Sequence, residues 1–191
     1  AVGAAESVAA PGSGGESSMQ WGMAWENNFP VNPLNYDLIS SPASGGRLGM
    51  AGLSTRGPCA DGRIKHELVA PGTDVISCRS RASSSSLWGQ YDAWYNFSGG
   101  SSMAAPLIAG SAALVRQHFA EQTTHTNPSA ALIKAVLIAS ARSLWPGQYG
   151  YGRYREIPQA RPNNVEGWGM PDMGTACGYA LFDDRTALVT G

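Results

Sequence analysis

Charge is scarce in this sequence. Only 14% of its 191 residues are charged, and 13 Lys and Arg against 14 Asp and Glu leave a formal net charge of -1. No basic stripe is present, so the electrostatic footprint needed to bind nucleic acid or an anionic membrane surface is missing. Long apolar runs are missing too. Leu107–Val115 and Ala130–Ala141 both fall well short of the roughly 20 residues that span a bilayer. Cysteine is limited to Cys59, Cys78 and Cys177, with no C-x-x-C or Cys/His spacing that would suggest zinc. The odd count leaves one thiol over, and sequence does not fix whether Cys59 and Cys78, which flank one expected strand, form a bridge. There are three histidines, His66, His118 and His125.

What is present is an ordinary globular composition. With 43% apolar residues, a chain of this length can bury the core of one domain. Short β segments are expected at Ala1–Ala5, Gly49–Leu53, Leu68–Gly72 and Val75–Cys78, with Tyr91–Phe97 as loop or edge strand. Glu6–Gly46 lacks periodicity and is rich in Gly, Ser, Pro and Asn, so it reads as a long loop or insertion. Its Trp21, Trp25, Phe29 and Tyr36 read as loop anchors. Ser83–Ser86 is a polar loop. A helix is expected from Asn127-Pro128, read as cap and first helical residue, to about Ala141. Gly167-Trp168-Gly169 marks a tight turn whose ring is expected in the core, and Pro171-Asp172 leads into a short helix ending near Cys177-Gly178. The tail, 181–191, has β character and is expected to start a further β domain. Because Val2 reads as part of a buried strand, the chain is expected to be a fragment or a processed piece.

The chemically informative stretch is Ser98-Gly99-Gly100-Ser101-Ser102-Met103-Ala104-Ala105-Pro106. Two glycines before an apolar helix allow a sharp turn and a close backbone approach. A hydroxyl at the helix mouth sits among unpaired N–H donors, at the positive end of the dipole. That placement suits a serine nucleophile with an oxyanion donor beside it, and Ser102 is the candidate. Pro106 is expected to be tolerated because first-turn N–H groups have no partner to lose. The small residues Ala105, Ala109, Gly110, Ala112 and Ala113 predict a central helix, Met103–Phe119, buried on all sides.

These residues resemble a known family. Gly100-Ser101-Ser102-Met103-Ala104-Ala105-Pro106 is similar to the Gly-Thr-Ser-Met-Ala-x-Pro signature around the nucleophile of subtilisin-like serine proteases (subtilases), with Ser101 in place of Thr. Ser54-Thr55-Arg56-Gly57-Pro58, Asp61-Gly62-Arg63-Ile64-Lys65 and Ala70-Pro71-Gly72 resemble the segment that precedes that serine, with His66 and Glu67 replacing its usual Pro-Asp. Val2-Gly3-Ala4 resembles a core strand, and Gly167-Trp168-Gly169 a C-terminal turn. An α/β-hydrolase elbow fits less well, because residue 104 is Ala rather than Gly and the later acid and base come in the wrong order: His118 and His125 precede Asp172 and Asp183.

The resemblance implies an α/β fold, the subtilisin-like three-layer arrangement with a mostly parallel sheet, of which residues 1–180 are the C-terminal part. It implies a serine endopeptidase acting on polypeptides through an acyl-enzyme on Ser102. The family's Asp and His precede its serine, as does the oxyanion Asn, and none of those motifs is in this sequence. They are therefore expected on a companion segment, and the chain alone is expected to be inactive. The alternative is a non-catalytic, subtilase-like binding module. No cofactor is expected for catalysis. Structural calcium, common in the family, makes Asp61, Asp74 and Asp92 candidates, although their spacing suits turn capping better. Low charge, a Cys59–Cys78 pair and the family habit point to secretion. No nucleic-acid or membrane partner is expected.

Overall fold

The computed structural model describes residues 1–7, 48–82, 88–123, 126–152 and 155–178. Most of the loop expected over 6–46, with its four aromatic anchors, lies outside the described residues. So do the loop 83–86, His125, Asp183 and the tail 181–191.

The described part is built on a parallel strand pair. β1 (Val2–Ala5) and β2 (Leu68–Pro71) run side by side with Val2 opposite Leu68 and Ala5 opposite Pro71. Both are short apolar runs, and Ala4, Ala5, Val69 and Ala70 are buried, as strands of a covered parallel sheet are. The outer edge of β2 is closed by the turn at 167–169: Val69 N–H donates to Gly169 C=O at 3.0 Å and Trp168 N–H to Glu67 C=O at 2.8 Å. A Cβ on Gly167 would stand 2.2 Å from the His66 carbonyl, so the turn presses its backbone against the strand. That contact sends the Trp168 ring outward, 37% exposed, and not into the core as expected. The strand expected at Gly49–Leu53 is reduced to one antiparallel bridge between Met50 and Ala5, because the chain turns away at residues 52–53.

A second, antiparallel pair, β3 (Val75–Cys78) and β4 (Tyr95–Ser98), follows β2. β4 leads directly into helix α1 (Ser101–Gln122). Helix α2 (Ala130–Ser140) packs on α1 through Val115, Phe119, Val136 and Leu137, each worth about 1.5–3 kcal/mol if fully buried. The cap of α2 is Ser129, whose Oγ accepts from Leu132 N–H at 3.2 Å. Asn127-Pro128 therefore stands before the cap, and the helix starts two residues later than expected. A one-turn helix α3 (Met173–Ala176) is capped by Asp172, which accepts from Thr175 N–H at 3.0 Å, close to the sequence expectation.

The helix α1 departs most from expectation. Ala104, Val115 and Phe119 are its buried residues, with Ile108 and Ala112 partly covered along the same face. The opposite face, carrying Ala105, Leu107, Ala109, Gly110, Ala113 and Leu114, is exposed. Leu107 and Leu114 are 43% and 53% exposed. The small-residue composition suits burial on both sides. Among the described residues only one side is covered.

Candidate active site

Both parallel strands end at the serine turn. Gly72, just after β2, donates its N–H to Ala5 C=O at 2.8 Å, and its own C=O accepts from Gly100 N–H at 2.7 Å. These two bonds tie the C-terminal ends of the strands to the mouth of α1, where ligands of α/β sheets bind. A Cβ on Gly72 would lie 2.6 Å from Ala4 Cβ and 3.0 Å from the Gly100 carbonyl oxygen, so a side chain has no room there. Gly100, the residue before α1, has φ 139 and ψ 163, a conformation open to glycine alone at low cost. Gly99 lies directly under the Trp88 ring, which would be 2.0 Å from an added Cβ.

Hydrophobic burial fixes the rest of the turn. Phe97 and Ala104 flank it, and both are buried in one cluster with Ala4, Ala51, Ala70 and Trp88. With Phe97 and Ala104 pointing inward, Ser102 faces solvent at the second position of the helix. Neither Ser101 nor Ser102 has a described acceptor for its backbone N–H, as expected of first-turn donors. The site thus holds an exposed hydroxyl beside an open N–H at the positive end of a 22-residue helix, an arrangement in which a hydroxyl deprotonated by a general base would have an oxyanion donor next to it. Pro106 lies two residues deeper in the helix than the sequence suggested. Because the helix begins at Ser101, residue 106 would donate to the Ser102 carbonyl, and proline leaves that carbonyl without its helical donor.

The two described histidines, His66 and His118, are elsewhere. His118 lies on α1 sixteen residues beyond Ser102, about 24 Å along the axis. His66 precedes β2, at the end of the strand away from the serine, on the order of 15 Å off. It is buried, and its ring fills the space over Gly3. Burial lowers its pKa to about 4, the Val165 backbone opposes this, and Arg56 adds to the lowering. Glu67 beside it is desolvated, which favours its neutral form. Hydrogen bonds from Lys134, Lys65 and the Ala1 ammonium outweigh that and hold it well below the usual carboxylate range. The sequence reading missed Glu166, which is fully buried and accepts from Leu144 N–H at 2.6 Å and Ser143 Oγ at 2.8 Å. It braces the start of the turn that closes the β2 edge.

Asp61 and Asp92 act as turn caps. Asp61 accepts from Arg63 N–H at 3.2 Å, and Asp92 Oδ1 accepts from the N–H groups of Trp94 and Tyr95. Among the described residues no three His, Cys, Asp or Glu side chains come together as a metal-ligand group. Cys59, Cys78 and Cys177 are all free thiols, so the Cys59–Cys78 bridge is not formed.

The sequence profile of the subtilase family of peptidases matches residues 1–169. The chain belongs to the subtilase family. Curated relatives include the serine protease/ABC transporter B family protein tagB of Dictyostelium discoideum, 29% identical over 63% of this chain. The C5a peptidase of Streptococcus pyogenes is 34% identical over 54% of it. The chain spans less than a tenth of either relative, 7% and 8% respectively. Among solved structures, the CspB protease of Clostridium perfringens superposes with a TM-score of 0.50 at 22% identity, covering 70% of this chain and 24% of that one. That likeness supports the subtilisin-like α/β fold.

Proposed function

We propose that Ser102 is the nucleophile of a serine endopeptidase whose remaining machinery lies on a companion polypeptide segment. The supporting observation is the serine turn: an exposed Ser102 at the mouth of α1, held by the Gly72–Gly100 hydrogen bond, with its own N–H open. A histidine of the companion takes the Oγ proton as the oxygen attacks a peptide carbonyl. The amine then leaves with that proton, and water hydrolyses the acyl-enzyme. The Ser102 N–H and a companion Asn side chain stabilise the oxyanion, at roughly 3 kcal/mol per donor.

The bare face of α1 supports a companion that packs on it. Leu107, Gly110 and Leu114 present an apolar surface without a charge, next to the nucleophile. A hollow of about 340 Å³ between the strands and the helices, lined by Val2, Ile108, Ala112, Ile133 and Leu137, offers further apolar surface. Ser102 is not among its walls, so it is a packing site rather than the place of reaction. Secretion remains our reading on the low charge and the family habit, without help from the unbridged cysteines.

A fluorophosphonate probe tests this. The complete gene product should label on Ser102, and its Ser102→Ala variant should not. The 191-residue chain alone should label at least about a hundredfold more slowly, since the general base is absent. Strong labelling of the isolated chain would sink the dependence on a companion. No labelling of the complete product would favour a non-catalytic binding module.

A further inference from the structure

The β3–β4 hairpin carries an unassigned cationic cleft. Beyond the last ladder pair, Cys78 with Tyr95, Arg79 N–H donates to Trp94 C=O at 2.7 Å, which sets the two residues opposite each other. Two residues on, the Arg81 guanidinium carbon stands 4.6 Å from the Trp94 ring centroid. Trp94 is 60% exposed, too much for a core anchor. Arg79, Ser80, Arg81, Ala93 and Trp94 line a hollow of about 290 Å³, at the small end of ligand pockets.

Among the described residues no carboxylate forms an ion pair with Arg79 or Arg81. Asp92, two residues before Trp94, uses Oδ1 to hold the Trp94 and Tyr95 amides at 2.6 and 2.8 Å. A guanidinium laid on an indole is held in orientation, with its N–H fork left free for a planar carboxylate. Position adds a second argument. Ser102 lies eight positions beyond Trp94, and four of the seven residues between them form β4, so the two Cα atoms are at most about 29 Å apart. An extended peptide covers that distance in about as many residues.

The geometry points to this cleft as a subsite for an Asp or Glu side chain of the polypeptide presented to Ser102. It rests on the peptidase reading for what the bound chain is, and on the hairpin alone for what the cleft takes. Nucleic acid is the poorer match, because a net charge of -1 and the absence of a basic stripe give it no footprint.

The test uses the complete gene product carrying Ser102→Ala, so that peptides bind without cleavage. Fluorescein-labelled peptides of about 16 residues, identical except for a Glu or a Gln block, are titrated by anisotropy. The Glu peptide should bind about tenfold more tightly, and more so at low salt. Arg79→Gln with Arg81→Gln should erase the difference, and Arg81→Lys, which keeps the charge and loses the fork, should remove most of it. Equal affinity for both peptides overturns the proposal, as does a Glu preference that survives the double variant. Arginine-dependent binding of oligodeoxythymidine that displaces the Glu peptide also overturns it. A Glu preference with no fluorophosphonate labelling of Ser102 in the parent protein would instead sink the nucleophile and leave the cleft standing.

Discussion

Replacing Gly72 by alanine tests how the sheet positions the serine. Gly72 does not need an unusual backbone angle, so the substitution acts through space alone. The new Cβ would stand 2.6 Å from Ala4 Cβ and 3.0 Å from the Gly100 carbonyl oxygen, where ordinary contacts begin at 3.4 Å. Ala4 Cβ must give by most of an ångström and the Gly100 carbonyl by a few tenths. Overpacking of this kind costs about 1–3 kcal/mol. If the Gly100 N–H, which is partly buried, loses its acceptor, the unpaired donor adds up to about 1–3 kcal/mol. The smaller entropy of the unfolded chain returns about 0.4–1 kcal/mol. The expected net loss is about 2–4 kcal/mol, read from the urea midpoint. Because the Gly100 shift is passed to Ser102, the fluorophosphonate rate of the complete gene product should also fall by about a hundredfold.

A second substitution separates this cause from general damage. Ala4→Gly removes the closer of the two clashing atoms. In the Gly72→Ala background it should recover more than half of both losses, a coupling that a double-mutant cycle isolates. If Gly72→Ala leaves stability within about 0.5 kcal/mol and labelling unchanged, the turn is not set by this contact. If Ala4→Gly gives no recovery, the steric argument is wrong even where the losses appear.

Gly110 lies on the bare face of α1 with nothing within 4 Å of an added Cβ, so Gly110→Ala should stabilise the isolated chain by about 0.5–1 kcal/mol through helix propensity. Gly110→Trp should leave the isolated chain's urea midpoint little changed and abolish probe labelling of the complete product; retained labelling would refute packing on that face. His66 gives a pH signature. Its pKa is lowered to about 4, so the unfolded chain binds the extra proton between pH 4 and 6.5, and stability falls as pH drops through that window and levels off below it. The full effect is at most about 3 kcal/mol at 1.36 kcal/mol per pKa unit. Urea midpoints across pH should show that loss in the native chain, and less of it in His66→Gln.

The serine turn was legible because everything that defines it is local: two glycines, a hydroxyl pair, then small apolar residues. The same locality identified β1, β2, β3 and the Asp172-capped helix. Errors arose where the outcome depends on a distant surface. The cap of α2 went to Ser129 over Asn127, since both side chains can cap and only the path of the incoming chain decides. Trp168 read as core because it is large and apolar, yet the strand backbone at His66 and Glu67 takes the space beside its glycines. Cys59 and Cys78 flank β2 in sequence, but that says nothing about whether the two thiols meet in space. The Arg79–Arg81–Trp94 cleft was invisible because its residues meet only through the hairpin register.

The helix α1 shows how a misreading of burial carries information. Its composition called for cover on every side, and the described residues supply one side. An amphipathic surface helix would place charge on the outer face to meet water. Here residues 103–115 carry no charge at all, on either face. Leaving Leu107 and Leu114 wet forfeits about 1–2 kcal/mol each relative to burial. The composition therefore matches an environment in which the outer face is covered. That surface adjoins Ser102, near which the described residues place no histidine. On the companion reading proposed above, one segment packed along α1 and reaching Ser102 at its N-terminus would supply both the cover and the catalytic partner. Gly110→Trp tests the cover and the fluorophosphonate rate tests the partner. If one segment serves both, the two must fail together.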